Sequence, residues 1–147
     1  MEFPYKRFAL TTPAAGGRVY RAKPIILATL IGPTGSVPHD CLVDPGADDT
    51  VFPEAFATQA GIDPTSAPTG RASGVGMVGA TPRFALVTLR VADAAERREW
   101  LAWVGFTSTP LRRPLLGMAG FLELFTATFH GDTERLVLAV NSRYAGT

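Results

Sequence analysis

The residues best suited to chemistry lie together in one short acidic segment. Residues 41–52 read Cys-Leu-Val-Asp-Pro-Gly-Ala-Asp-Asp-Thr-Val-Phe. An apolar strand runs directly into Asp44, and Gly46 follows in a turn where glycine permits unusual dihedrals and a close backbone approach. A carboxylate held on rigid backbone in this way is a candidate for acid–base chemistry. The alternative interpretation is a simple Asp-Pro-Gly turn between two strands, with Asp48 and Asp49 solvated.

The elements that must position this segment are predicted to be mostly short strands. The chain has 15 glycines and 12 prolines spread along its length, which divide it into short segments. Strands are predicted within 18–31, 37–43, 84–91 and 100–106, followed by a hairpin of 125–130 with 136–140. Short helices are predicted at 53–60, which stops at Gly61, and at 117–125, where Met118, Phe121, Leu122 and Phe125 share an apolar face. We therefore predict an all-β fold with one or two short helices.

Length and composition predict a single folded domain over 1–147, with 1–17 as a candidate N-terminal extension. Hydrophobic residues make up 46% of the 147 residues and charged residues 18%, a balance that excludes a disordered chain. The net charge of +1 argues against a nucleic-acid partner or a polybasic membrane patch. The longest apolar run, 25–31, is far too short to cross a bilayer, and no signal peptide is evident. We expect a cytoplasmic protein.

No cofactor or metal is predicted. Cys41 is the only cysteine, so neither an intrachain disulfide nor a cysteine-based metal cluster can form. Asp44, Asp48 and Asp49 do not have the spacing of a calcium-binding EF-hand loop. The two histidines, His39 and His130, are far apart in the sequence and have no third ligand at a useful spacing.

Three motifs together resemble those of the retropepsin-like aspartic proteases. Leu-Val-Asp-Pro-Gly-Ala-Asp-Asp-Thr-Val-Phe at 42–52 is similar to the family's active-site segment, Asp-Thr/Ser-Gly-Ala before an apolar strand. Gly-Val-Gly-Met-Val-Gly at 74–79 looks like its glycine-rich flap, and Pro-Leu-Leu-Gly at 114–117 looks like its second signature. The motifs occur in the family's order, and the resemblance covers roughly 20–140. It implies a closed barrel with a flap hairpin.

The resemblance also implies a function, aspartic endopeptidase activity on extended polypeptide segments. Such a mechanism needs two close carboxylates that share one proton. The chain has one Asp-x-Gly motif of this kind, at Asp44, so the second carboxylate is expected from another copy in a homodimer.

Transferred position by position, the family pattern makes Asp44 the catalytic carboxylate. Gly46, Ala47, Asp48 and Asp49 are expected to bind the peptide backbone of the substrate. Val51 and Leu115 are expected to line apolar pockets for its side chains. Val75 and Gly76 are expected to lie near the flap tip.

Two residues depart from the family pattern. Pro45 stands where the family has Thr or Ser, whose hydroxyl interlocks the two active-site loops of the dimer. Met118 stands where viral members often have an Arg that pairs with the position matching Asp48, and Arg112 or Arg113 is a candidate substitute. Pro45 keeps open the alternative of a catalytically inactive retropepsin-fold module for peptide binding or dimerisation. A third interpretation is an unrelated small β-barrel.

Overall fold

A computed structural model describes residues 1–66 and 81–147, which are mostly strand with one short α-helix. The strands are β1 (Glu2–Pro4), β2 (Lys6–Ala14), β3 (Arg18–Lys23), β4 (Ile25–Gly32), β5 (Gly35–Val43), β6 (Val51–Pro53), β7 (Arg83–Ala92), β8 (Arg97–Thr107), β9 (Leu115–Leu116), β10 (Phe125–His130) and β11 (Arg135–Val140). The helix is α1 (Glu54–Ala60), and two 3-10 turns are formed by Pro64–Ser66 and Leu122–Leu124. This composition confirms the prediction of an all-β fold.

The strand predictions are largely confirmed, but one predicted strand is two strands in the structure. The segment predicted at 18–31 is two strands, because Pro24 has no backbone N–H to continue a ladder and separates β3 from β4. In β7 the alternating residues Ala85, Val87, Leu89 and Val91 are all buried, as their spacing predicts.

Six strands form a closed ring in the order β4-β5-β9-β6-β8-β7. Most neighbours in the ring are antiparallel, whereas β5 pairs with β9 and β6 pairs with β8 in parallel. The inward side chains of these strands build the main hydrophobic core, with Leu30, Phe52 and Leu89 fully buried. The ring brings the ends of β5 and β9 side by side, although they are distant in the sequence.

The N-terminal residues form two separate pairings outside the ring. β1 lies beside β11 in a three-stranded sheet with β10, and β2 pairs with β3 as a two-stranded ribbon. The amino group of Met1 is buried, contacts Glu96 Oε1 at 2.6 Å and donates to the carbonyl of Leu138 at 2.9 Å. The first residues of the segment expected as an extension are therefore packed against the rest of the fold.

Asp93 in the β7–β8 turn is expected to stabilise the fold in a pH-dependent way. Its carboxylate accepts hydrogen bonds from the backbone N–H groups of Glu96, Ala95 and Glu2, which lower its pKa from 3.8 to about 2. Because the folded-state pKa is depressed, the stabilisation is present above the ordinary value and is lost as pH falls from 3.8 towards 2. We expect Asp93→Asn to lower the urea midpoint at pH 7 and the difference from wild type to shrink below pH 4. Asp132→Asn, in the exposed β10–β11 turn, is the matched control, and an equal effect of both substitutions would contradict the prediction.

The first predicted helix is confirmed and ends as expected. α1 begins after Pro53, and Gly61 adopts the left-handed conformation at its C-terminus with φ of 69°. Its N–H donates to the carbonyl of Thr58, which satisfies one of the free carbonyls at the helix end.

The second predicted helix, at 117–125, is wrong. Only the 3-10 turn Leu122–Leu124 is helical, and β10 follows it directly. Gly120 has φ of 83°, a left-handed conformation that interrupts an α-helix. The N–H groups of Met118 and Ala119 donate to carbonyls of the acidic segment at 2.9 and 2.8 Å. Within the segment, the N–H groups of Leu122 and Glu123 donate to carbonyls five residues back, those of Gly117 and Met118, so the i to i−4 pattern of an α-helix is absent.

The apolar spacing of that segment has another origin, an aromatic cluster. The rings of Phe121 and Phe125 lie 5.8 and 5.2 Å from the ring of Trp100. The indole N–H of Trp100 donates to the carbonyl of Gly120 at 2.9 Å. Trp103, three residues along β8, is 52% exposed, whereas Trp100 is buried, so the two tryptophans lie on opposite faces of the strand.

Cys41 is fully buried on β5, as expected of a small apolar residue. Burial raises the pKa of its thiol to about 12, so the reactive thiolate is disfavoured.

Among the described residues, no helix has the length and apolarity needed to cross a membrane.

Candidate active site

Asp44 lies at the end of β5, where the strand meets a turn. Its backbone N–H donates to the carbonyl of Leu116 at 3.1 Å, which continues the parallel pairing of β5 with β9. Its carboxylate Oδ1 accepts the N–H of Gly46 at 3.0 Å, and its carbonyl accepts the N–H of Ala47 at 3.1 Å. The side chain is partly exposed. A carboxylate is thus held at a fixed position and remains open to solvent.

Thr50 ties the acidic segment to the chain beyond β9. It is fully buried, and its hydroxyl oxygen accepts the N–H of Gly117 at 3.2 Å. Its own N–H donates to the carbonyl of Ala119 at 2.9 Å, and its carbonyl accepts the N–H of Gly105 at 2.9 Å. Sequence reasoning did not single out this residue, although a threonine between two carboxylates and a buried strand was the available signal.

Gly117 is required by the close approach of these two segments. A Cβ at this position would lie 2.2 Å from the carbonyl oxygen of Asp49 and 2.7 Å from that of Ala47. The N–H of Met118 also donates to the carbonyl of Ala47 at 2.9 Å, which holds the two segments together. The two motifs picked out in the sequence, 42–52 and 114–117, are therefore packed backbone against backbone.

The carboxylates after Asp44 differ in environment. Asp48 is exposed and Asp49 is half-buried. Burial, followed by the nearby charge of Asp48, raises the pKa of Asp49 above its ordinary value. Arg113, one of the candidate partners for Asp48, has its Nη1 atom 3.9 Å from Asp40 Oδ2.

The two residues predicted to line apolar pockets lie together. Val51 is 2% exposed and packs against Leu115 and Leu111 in a small cluster separate from the main core. Leu115 is partly exposed, and it also lines an open cleft of about 690 Å³. Asp44 lines the same cleft, whose volume is within the range of ligand-binding clefts.

The predicted flap at 74–79, with Val75 and Gly76, lies outside the described residues. Within 1–66 and 81–147, no group of three or more His, Cys, Asp or Glu side chains is placed to hold a metal ion.

A family model described as aspartyl protease matches residues 30–119. The chain belongs to the aspartyl protease family. The matched range contains all three motifs on which the resemblance to retropepsin-like proteases was based, and the family assignment is confirmed. A comparison with curated proteins gives no match. For this aspartyl protease family member, peptide hydrolysis is therefore the activity that membership indicates.

Proposed function

We propose that this aspartyl protease family member is an active endopeptidase whose site is shared by two copies of the chain. The observation that carries the proposal is the setting of Asp44: a strand-end carboxylate, fixed by backbone hydrogen bonds, that lines an open cleft. One chain offers one such carboxylate. Two chains related by a two-fold axis through this turn would bring two Asp44 side chains together.

The proposed chemistry is general acid–base catalysis by this pair. Two adjacent carboxylates share one proton, because both cannot ionise at close range. The ionised Asp44 removes a proton from a water molecule, whose oxygen attacks the scissile carbonyl carbon. The protonated Asp44 of the other copy donates to the carbonyl oxygen. The first Asp44 then passes the proton taken from water to the amide nitrogen, while the other Asp44 takes back a hydroxyl proton from the tetrahedral intermediate. The C–N bond breaks to release an amine and a carboxylic acid, and the pair again holds one proton.

The substrate is proposed to lie as an extended strand over the turn that follows Asp44. Gly46 and Asp48 are exposed there and are accessible to a peptide backbone, whereas Ala47 is buried and Asp49 is half-buried behind them. Leu115, which is partly exposed, would supply apolar surface for side chains, and the buried Val51 packs against it. The closed ring of strands supports the barrel of a retropepsin-like domain. Val75 and Gly76 are proposed as substrate contacts from the resemblance of 74–79 to the family's flap.

Cleavage of a diverse peptide pool at a series of enzyme concentrations tests this proposal. We expect the rate to rise with the square of protein concentration below the dimer dissociation constant, because a monomer holds half a site. An inactive module for peptide binding or dimerisation, the alternative that Pro45 favours, would bind peptides or self-associate without any cleavage products. Cleavage that stays strictly proportional to protein concentration where sedimentation shows the chain to be monomeric would contradict a shared site.

Restoring a hydroxyl at position 45 is expected to tighten the dimer. Pro45 is exposed beside Asp44 and has neither a hydroxyl nor a backbone N–H to offer a second copy. Pro45→Thr supplies both groups. A regained hydrogen bond should contribute about 1 kcal/mol to the free energy of dimerisation and occurs twice by symmetry, so the total of about 2 kcal/mol corresponds to a roughly thirtyfold lower Kd. Sedimentation equilibrium measures the change. Pro45→Val has nearly the shape of threonine without the hydroxyl, so equal dimer affinities of the two variants would contradict the prediction.

A further inference from the structure

We infer that the cleft beside Asp44 selects peptides that carry Asp or Glu close to the scissile bond. The inference rests on the proposed function, because it specifies which substrates that site takes. The residues that carry it are four cations lining the cleft, Arg21, Lys23, Arg112 and Arg113, which we call the basic rim.

The basic rim lies on two walls of the cleft. Arg21 and Lys23 belong to β3, on the ribbon outside the ring, whereas Arg112 and Arg113 belong to the connection between β8 and β9. Asp44 is the only acidic residue lining the cleft among the described residues. The rim and the proposed catalytic residue therefore line one cleft in which cations outnumber carboxylates, although the whole chain has a net charge of only +1.

Arg113 is held in place by the protein itself. Its guanidinium lies 5.1 Å from the ring centre of Phe8 and 3.9 Å from Asp40. Asp40 also forms a closer ion pair with Lys6, at 2.7 Å. The carboxylate of Asp40 is thus shared between two cations.

The other three cations have no such partner in the described part of the chain. No carboxylate there lies within ion-pair distance of Arg21, Lys23 or Arg112. Residues 67–80 contain neither Asp nor Glu, so the sequence offers no acidic group from that segment either. The positive charge of the rim is left for a molecule that enters the cleft.

A peptide carboxylate is the ligand that fits this arrangement. The walls of a cleft focus the field of its charges, so several exposed cations around one concave space attract an anion more strongly than each would alone. A pair of Asp44 carboxylates with one shared proton has a net negative charge, which would repel an acidic substrate. The rim offsets that repulsion. Apolar lining residues such as Phe8, Ile25 and Leu42 accommodate the aliphatic part of the side chain.

Binding to the full-length Asp44→Asn variant tests the inference separately from catalysis. The probes are pairs of labelled peptides that differ only by Glu or Gln next to the central bond, measured by fluorescence anisotropy. We expect the Glu peptide to bind about five- to tenfold more tightly at low ionic strength, and this advantage to shrink in about 0.5 M NaCl. Equal affinities would overturn the inference, as would tighter binding of a single-stranded oligonucleotide than of the Glu peptide.

Substitutions in the rim locate the preference. Arg112→Gln and Arg21→Gln are each expected to reduce the Glu-to-Gln affinity ratio several-fold. Arg143→Gln, which changes an exposed arginine outside the cleft, is the matched control and should leave the ratio unchanged. A ratio that survives both rim substitutions would overturn the inference.

The outcomes for the inference and for the proposed function are distinguishable. Wild-type cleavage of the Glu and Gln peptides at equal kcat/KM, with equal binding, overturns the inference and leaves the peptidase intact. Preferential binding of the Glu peptide without wild-type cleavage supports the inference and contradicts the peptidase.

Discussion

Replacing Asp44 with Asn is expected to abolish peptide cleavage and leave the fold intact. An amide cannot remove a proton from water, and loss of a catalytic group of this kind typically lowers kcat by about a thousandfold or more. The local structure should survive, because the Oδ1 of Asn can still accept the Gly46 N–H that Asp44 Oδ1 accepts at 3.0 Å. Cleavage of the peptide pool and urea denaturation, measured on the same preparations, separate the two effects.

Asp132→Asn is the control for this experiment. It makes the same chemical change at an exposed turn between β10 and β11, and Asp132 is not among the residues that line the cleft beside Asp44. It should leave both cleavage and stability near wild type. Cleavage by Asp44→Asn at the wild-type rate would remove Asp44 from the mechanism.

Replacing Gly117 with Ala is expected to have the largest effect on stability. The added Cβ would lie 2.2 Å from the carbonyl oxygen of Asp49, a backbone atom that cannot move without displacing the acidic segment. Overpacking against a fixed backbone should lower the free energy of unfolding by about 3 kcal/mol or more. Since the same segment carries Asp44, the remaining folded protein should also lose activity.

Gly131→Ala is the matched control, because a Cβ there meets nothing within 4 Å. Its free energy of unfolding should stay within about 0.5 kcal/mol of wild type. Urea denaturation of both variants decides the comparison. Equal stabilities would mean that the backbone contact between the acidic segment and Gly117 is not a fixed part of the fold.

The parts of the fold that were predictable from sequence depend on local patterns. Alternation of apolar residues predicted β7, and Gly61 after a short segment beginning with proline predicted α1. The apolar spacing at 117–125 predicted a helix that does not form. Phe121 and Phe125 are four residues apart because both pack against Trp100, and the backbone between them is not an α-helix. Local periodicity does not report which backbone groups find distant partners.

The candidate site was likewise predictable from sequence only in part. Asp44 and the motif at 114–117 were recognisable by type and order, but the hydrogen bonds that join them through Thr50 connect residues far apart in the chain. The basic rim is also assembled from two distant segments, β3 and the connection before β9. A sequence with a net charge of +1 gives no sign that such a cluster exists.

A subunit-mixing experiment tests the central claim, that one Asp44 from each of two copies forms the site. Wild-type protein at a fixed concentration above the dimer Kd is mixed and equilibrated with a ninefold excess of Asp44→Asn, and cleavage is measured with substrate in excess. Random pairing would leave about one tenth of the wild-type chains in wild-type dimers, so the rate should fall to about one tenth. The same excess of Asp132→Asn, whose chains are themselves expected to be active, should instead raise the rate about tenfold. A rate unchanged by the Asp44→Asn chains would contradict the shared site, because each wild-type chain would then be acting alone.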